Sequence, residues 1–152
     1  MKKVTKAVLL ILWMALIFYM SAQPQLESEA TSNLATELIY RIFGGIFRFF
    51  GMTLEDFFGR FGLLIRKLAH FTEFMFLGIL AKTNHEEYTD RNTILVPLLF
   101  SALYAISDEF HQSFVPGRCC AVRDMLIDTS GALAGIIIYH LIMKGWKRKH
   151  SH

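Results

Sequence analysis

A chain of 152 residues is a single domain by the usual domain length of about 100–200 residues. It is 53% hydrophobic and only 19% charged, where a soluble domain carries about 25% charge, so the composition excludes disorder and points away from water. The net charge of +3 sits at the flanks of apolar runs, which excludes a nucleic-acid partner. Adjacent Cys119 and Cys120 cannot staple distant segments.

The first predicted span covers residues 4–22. Ala7 to Leu26 carries no formal charge, about the 20 residues needed to cross a bilayer core, with Lys2, Lys3 and Lys6 ahead of it. The rival reading is a cleaved signal peptide, against which stands bulky Met20 at the minus-three position of the candidate cleavage site. Next comes a predicted amphipathic helix over 32–50. Leu34, Leu38, Ile42, Ile46 and Phe50 recur every four residues, with Glu37, Arg41 and Arg48 on another face. Beside membrane spans, such a helix is expected to lie in the interface plane with its apolar face toward acyl chains. The aromatic run of Phe47, Phe49, Phe50, Phe57, Phe58 and Phe61 reads as interfacial anchoring. Thr53 and Asp56 match a capping box with Asp in place of Glu, so a helix is expected to start there.

Three further spans are predicted, over 63–81, 92–110 (with Pro97 near its start) and 125–143. The expected fold is therefore all-α, an integral membrane bundle of four transmembrane helices plus one interfacial helix between the first two spans. With four spans both termini share a side, together with the Lys82–Arg91 loop. The bases abutting the first span, with the basic tail Lys144, Lys147, Arg148 and Lys149, put that side in the cytoplasm of a multi-pass cell-membrane protein.

Ionisable residues inside these spans are the most informative feature. Burying a charge at the bilayer centre costs roughly 2.5–3.5 kcal/mol on insertion scales, so such groups are expected to face partners or a cavity. Lys67, His70 and Glu73 are three apart on one helical face. Asp108, His111 and Gln112 share a face at the end of the third span, with Glu109 alongside. Asp124 and Asp128 are four apart at the start of the fourth, and Gly131 and Gly135 continue that stripe, where small residues admit a neighbouring helix. Under the four-span topology all three clusters meet at the outer leaflet, joined by Arg123 and by Arg118 on the turn Val115-Pro-Gly-Arg.

Carboxylates beside imidazoles suit general acid–base work, and guanidinium suits bidentate recognition of phosphate or carboxylate. The candidate catalytic set is therefore His70, Glu73, Asp108, Glu109 and His111. The candidate substrate-binding set is Lys67, Gln112, Gly117, Arg118, Asp124 and Asp128. No metal is expected, since no tight ligand motif such as H-E-x-x-H occurs, and no cofactor, since Gly-rich phosphate loops and nucleophile elbows are missing. A self-paired network that only holds helices in register is the plainer reading of the same charges. Cys119, Cys120 and His140 carry no assigned role, and His85, His150 and His152 are expected in solvated loops or the tail.

Two runs resemble the signatures of the VanZ-like membrane family. The first is Arg66 to Phe74 (Arg-Lys-Leu-Ala-His-Phe-Thr-Glu-Phe) with Leu77 and Gly78. The second is Asp108 to Arg118 (Asp-Glu-Phe-His-Gln-Ser-Phe-Val-Pro-Gly-Arg), followed by Asp124 and Asp128 to Gly131. Ser21-Ala-Gln23 is similar to that family's polar exit from the first span. The doubled cysteine departs from the small or polar residues expected there, and Asn would serve equally at Asp128. The resemblance implies one VanZ-like domain over 1–152 and an association with low-level teicoplanin resistance. With the outer polar cluster it suggests partners among membrane lipids, a peptidoglycan precursor or a lipoglycopeptide. The cluster would act on such a molecule as an enzyme or bind it without turnover; a scaffold role is the third possibility.

Overall fold

A computed structural model describes residues 3–89 and 93–149, the side chain of Lys147 excepted. Among the described residues the protein is all-helical: α1 (Lys3–Ser21), α2 (Gln25–Phe49), α3 (Leu54–Tyr88), α4 (Leu95–Gln112) and α5 (Val122–Lys149). Lys2, Arg91, His150 and His152, and the first residue of the span expected over 92–110, lie outside the described residues. Two helices, Lys3–Ser21 and Val122–Trp146, are long and apolar enough to cross a membrane.

The central helix is α3, which packs against each of the other four. Its N-terminus is the expected capping box. Thr53 Oγ1 accepts from the Asp56 amide at 3.2 Å, and the Asp56 carboxylate accepts from the Thr53 amide at 3.0 Å. The Thr53 hydroxyl also donates to the Asp56 carboxylate at 2.7 Å, and this bond, with that from the Thr53 amide, holds the exposed Asp56 carboxyl below its usual value. The helix expected to start at Thr53 and the span expected over 63–81 are continuous. They are one helix of 35 residues, about 52 Å at 1.5 Å per residue, because no proline interrupts it. It also absorbs most of the expected 82–91 loop.

That extension corrects two expectations. Lys82 is fully buried, 3.0 Å from Glu86 and donating to the Thr93 carbonyl at 2.9 Å, so it is no flanking charge. His85 sits on α3, half-buried and with its Nε2 buried, not in a solvated loop. Helix α4 starts at Leu95, and Pro97 falls in its first turn, where a missing N–H costs no hydrogen bond. Helix α5 runs on through the basic tail.

Close crossing of α3 and α5 depends on glycine. A Cβ on Gly131 would stand 2.2 Å from the Phe71 carbonyl oxygen, and one on Gly135 2.0 Å from that of Met75; Gly78 meets Ala132 in the same way. On the other side of α3, Ile17, Phe74, Leu77 and Ala105 form a core joining α1, α3 and α4. Trp13 and Tyr104 bridge it to backbone, donating to the Glu73 carbonyl at 2.9 Å and to the Met14 carbonyl at 2.6 Å.

Helix α2 begins just after Pro24, earlier than residue 32, and lies against α3. Its protein-facing row runs through Thr36, Tyr40, Gly44 and Phe47, with Thr36 and Gly44 buried. The predicted apolar stripe stays open: Leu34, Leu38, Ile42, Ile46 and Phe50 are all exposed, while Glu37 and Arg41 pair at 2.6 Å. The aromatic run splits. Phe57 is buried and packs on Phe47, Phe61 and Tyr40 at the α2–α3 turn, whereas Phe49 and Phe50 remain exposed.

Candidate functional site

Side chains from all five helices and the α4–α5 loop meet at the end of the bundle where α1 finishes and α5 begins. Ser21, the last residue of α1, is buried, and its hydroxyl donates to Asp108 Oδ2 at 2.7 Å. Gln112, one turn after Asp108 on α4, donates to the same oxygen at 2.9 Å and to Ser21 Oγ at 3.1 Å. Glu109 accepts from the Ala121 amide at 2.8 Å, tying α4 to the start of α5. Lys67 of α3 is ion-paired to Asp124 of α5. His70 Nδ1 lies 3.8 Å from Glu73 Oε2.

The loop is fixed from below by α2. Gly117 has φ +79°, and a Cβ there would stand 3.0 Å from Cβ of Gln25, so only glycine takes this conformation comfortably. The Gln25 amide donates to the Pro116 carbonyl at 3.2 Å, and its side chain donates to Glu29 at 2.6 Å. This seating brings Arg118 back over the helix ends.

Two cavities open around Arg118. One, of about 190 Å³, is lined by Arg66, Lys67, His70, Glu109, Gln112, Gly117, Arg118, Cys119, Asp124 and Asp128, among others. The second, of about 330 Å³, lies toward α2 and is lined by Glu27, Ser28, Ser32, Arg66, His70, Glu73 and Arg118, with Tyr19 and Ile65 supplying apolar surface. Arg66, His70 and Arg118 belong to both and form the wall between them.

Arg118 is under-used within the chain. Its Nη2 reaches the Met20 carbonyl only at 3.5 Å, while Nε and Nη1 are buried without a hydrogen-bond partner. Burial lowers the guanidinium pKa from its ordinary value, and the charge of Arg66 adds to this, against Asp108, Glu109 and Glu73. An anion between the two arginines would satisfy both the donors and the charge. Asp128 is the opposite case: 1% exposed, with both carboxylate oxygens lacking a partner.

The sequence-derived set is thus largely gathered. Lys67, His70, Glu109, Gln112, Gly117, Arg118, Asp124 and Asp128 line the first cavity, and Glu73 the second. Asp108 stands behind them, held by Ser21 and Gln112. His111 lines neither cavity; it stacks on Phe18 with centroids 4.2 Å apart. Arg123 is exposed and lines neither, so it does not join the cluster as expected. Ser21, Gln25 and Arg66 belong to the site but were not among the expected site residues. For Arg66 the signal was available, since it precedes His70 by four residues and so shares its face. Cys119 and Cys120 are free and exposed. Among the described residues no group of three or more His, Cys, Asp or Glu side chains is placed to hold a metal ion.

A helical bundle with two membrane-compatible helices and a charged cluster at one end fits a membrane protein. The VanZ/LLP1 family pattern matches residues 6–143, most of the chain, and this protein belongs to that family. Comparison with curated proteins and with solved structures gives no match.

Proposed function

We propose that this protein crosses the cytoplasmic membrane four times, with both termini in the cytoplasm and α2 along the outer interface. Its two cavities then open at the outer leaflet, where they hold the anionic head group of a membrane-anchored envelope molecule. The observation that carries this reading is Arg118: a guanidinium on the wall of both cavities, with two buried N–H groups that nothing in the chain accepts. Arg66 beside it, 3.7 Å from Glu29, adds a second guanidinium to that wall. The exposed apolar stripe of α2 supports an interfacial seat next to the second cavity, suited to a ligand that keeps a lipid tail in the bilayer. A peptidoglycan precursor and a lipid-tailed glycopeptide such as teicoplanin both have this form, and protection against teicoplanin is the phenotype this reading expects.

The test is retention of phosphatidylglycerol by the full-length protein in detergent, measured by native mass spectrometry. Arg118→Gln should weaken retention about tenfold, the worth of one charge-assisted hydrogen bond, with Arg118→Lys falling between. Equal retention by all three proteins would count against the reading. In cells, teicoplanin protection should fall in Arg118→Gln at unchanged membrane abundance. A catalytic variant of the reading draws on the His70–Glu73 pair, with the imidazole as acid or base. It requires turnover of an envelope lipid by purified protein, lost in His70→Ala.

A further inference from the structure

The first cavity has two electrical poles, and the second pole says something about the ligand that the arginines alone do not. Asp128 is almost wholly buried, lines this cavity and has neither carboxylate oxygen hydrogen-bonded within the chain. The charges acting on it most strongly are the carboxylates of Asp108, Glu109, Asp124 and Glu73. Several of these are already engaged: Asp108 by Ser21 and Gln112, Glu109 by the Ala121 amide, Asp124 by Lys67. Asp128 is therefore a carboxyl with free acceptors, crowded by other carboxylates and short of a cation, in the same cavity as a guanidinium with free donors. A buried carboxylate is stable only when paired and hydrogen-bonded. A ligand hydroxyl supplies the bond without the charge; a primary ammonium supplies both. The cavity, of about 190 Å³, has room for a polar head group.

From these features, and resting on the anion-binding reading of Arg118, we propose that the cavity recognises a zwitterion of the phosphoethanolamine type, its phosphate on Arg118 and Arg66 and its primary ammonium on Asp128. The site thereby distinguishes an N–H-bearing ammonium from the quaternary ammonium of choline, which has no proton to donate to the Asp128 oxygens.

The experiment uses the full-length protein in detergent, with retention read by native mass spectrometry for phosphatidylethanolamine, its mono- and dimethyl derivatives, phosphatidylcholine and phosphatidylglycerol. The unmodified protein should retain phosphatidylethanolamine about tenfold better than phosphatidylcholine, the scale of a charge-assisted hydrogen bond, with retention falling as each methyl replaces an N–H. Asp128→Asn, nearly equal in size, should abolish the preference for phosphatidylethanolamine over phosphatidylcholine. Arg118→Gln should weaken both lipids. Equal retention across the methylation series overturns the zwitterion assignment, and because that series needs no variant, a misfolded Asp128→Asn does not shield the proposal. A methylation preference that Asp128→Asn leaves intact in folded protein overturns the role of Asp128. If Arg118→Gln changes neither lipid, the underlying anion-site reading fails instead. Soluble phosphoethanolamine is added as a competitor: displacement shows that the head group alone suffices, and persistence of the lipid assigns the source to the membrane. The methylation preference is expected in either case.

Discussion

Asp108 Oδ2 receives two hydrogen bonds, from Ser21 and from Gln112, at a position where the carboxylate is 2% exposed. Ser21 is the α1 half of that arrangement, and losing it leaves a buried anion short of a donor. Ser21→Ala is expected to destabilise the protein by about 1–3 kcal/mol, read as a lower unfolding midpoint in detergent, with Ser21→Thr retaining most of the stability. A midpoint unchanged in Ser21→Ala would mean that Gln112 alone suffices. At this scale the sequence was informative about residue type and poor about partners. Ionisable side chains in apolar runs stand out, and helical spacing grouped Lys67 with His70 and Asp124 with Asp128 on the correct faces. A lone serine at the end of an apolar helix carries no such signal, because its significance lies in Asp108, 87 positions away. Spacing also placed His111 with Asp108, but Phe18 of α1 stacks on its ring, a contact between helices that one helix's periodicity cannot reveal.

At the scale of the helices, glycines divide by what surrounds them. Gly131 and Gly135 bring α5 against the backbone of α3, whereas Gly59 and Gly62 have open space where a Cβ would go. Gly131→Ala forces an approach that the backbone cannot absorb in place. It is expected to destabilise by about 1–3 kcal/mol, as overpacking does. Gly59→Ala adds helix propensity at no steric cost and should stabilise by up to about 1 kcal/mol. Thermal unfolding of the two variants side by side checks the contrast, and equal effects would contradict the crossing described here. The stripe from Asp124 through Gly131 and Gly135 was legible because small residues at four-residue spacing have few other uses in an apolar helix. The continuity of α3 was not, since its charged middle breaks the hydropathy run without breaking the helix. On α2 the apolar period was legible, but which face meets α3 was not: the row through Thr36, Tyr40, Gly44 and Phe47 does so, while the more continuous apolar stripe stays exposed.

For the whole molecule, the pattern is a membrane-compatible exterior with charge gathered at one end and a second buried polar group, Lys82 with Glu86 and Tyr139, toward the other. The interfacial seat of α2 gives a test that leaves the cavities untouched. Ile42 is 65% exposed, so Ile42→Asp removes no packing inside the protein. It should still abolish teicoplanin protection at unchanged abundance if α2 sits in the bilayer interface. Retained protection would place that stripe in water. Orientation is the claim on which the functional account turns, and the chain carries its own probes. Cys119 and Cys120 are its two cysteines, both free and exposed, and Cys119 lines the first cavity. Labelling intact cells with a membrane-impermeant maleimide measures directly which side the cavity faces. The account predicts modification of the unmodified protein before permeabilisation, lost in the Cys119→Ser, Cys120→Ser double variant. Modification only after the membrane is opened would put the cavity on the cytoplasmic side and contradict it.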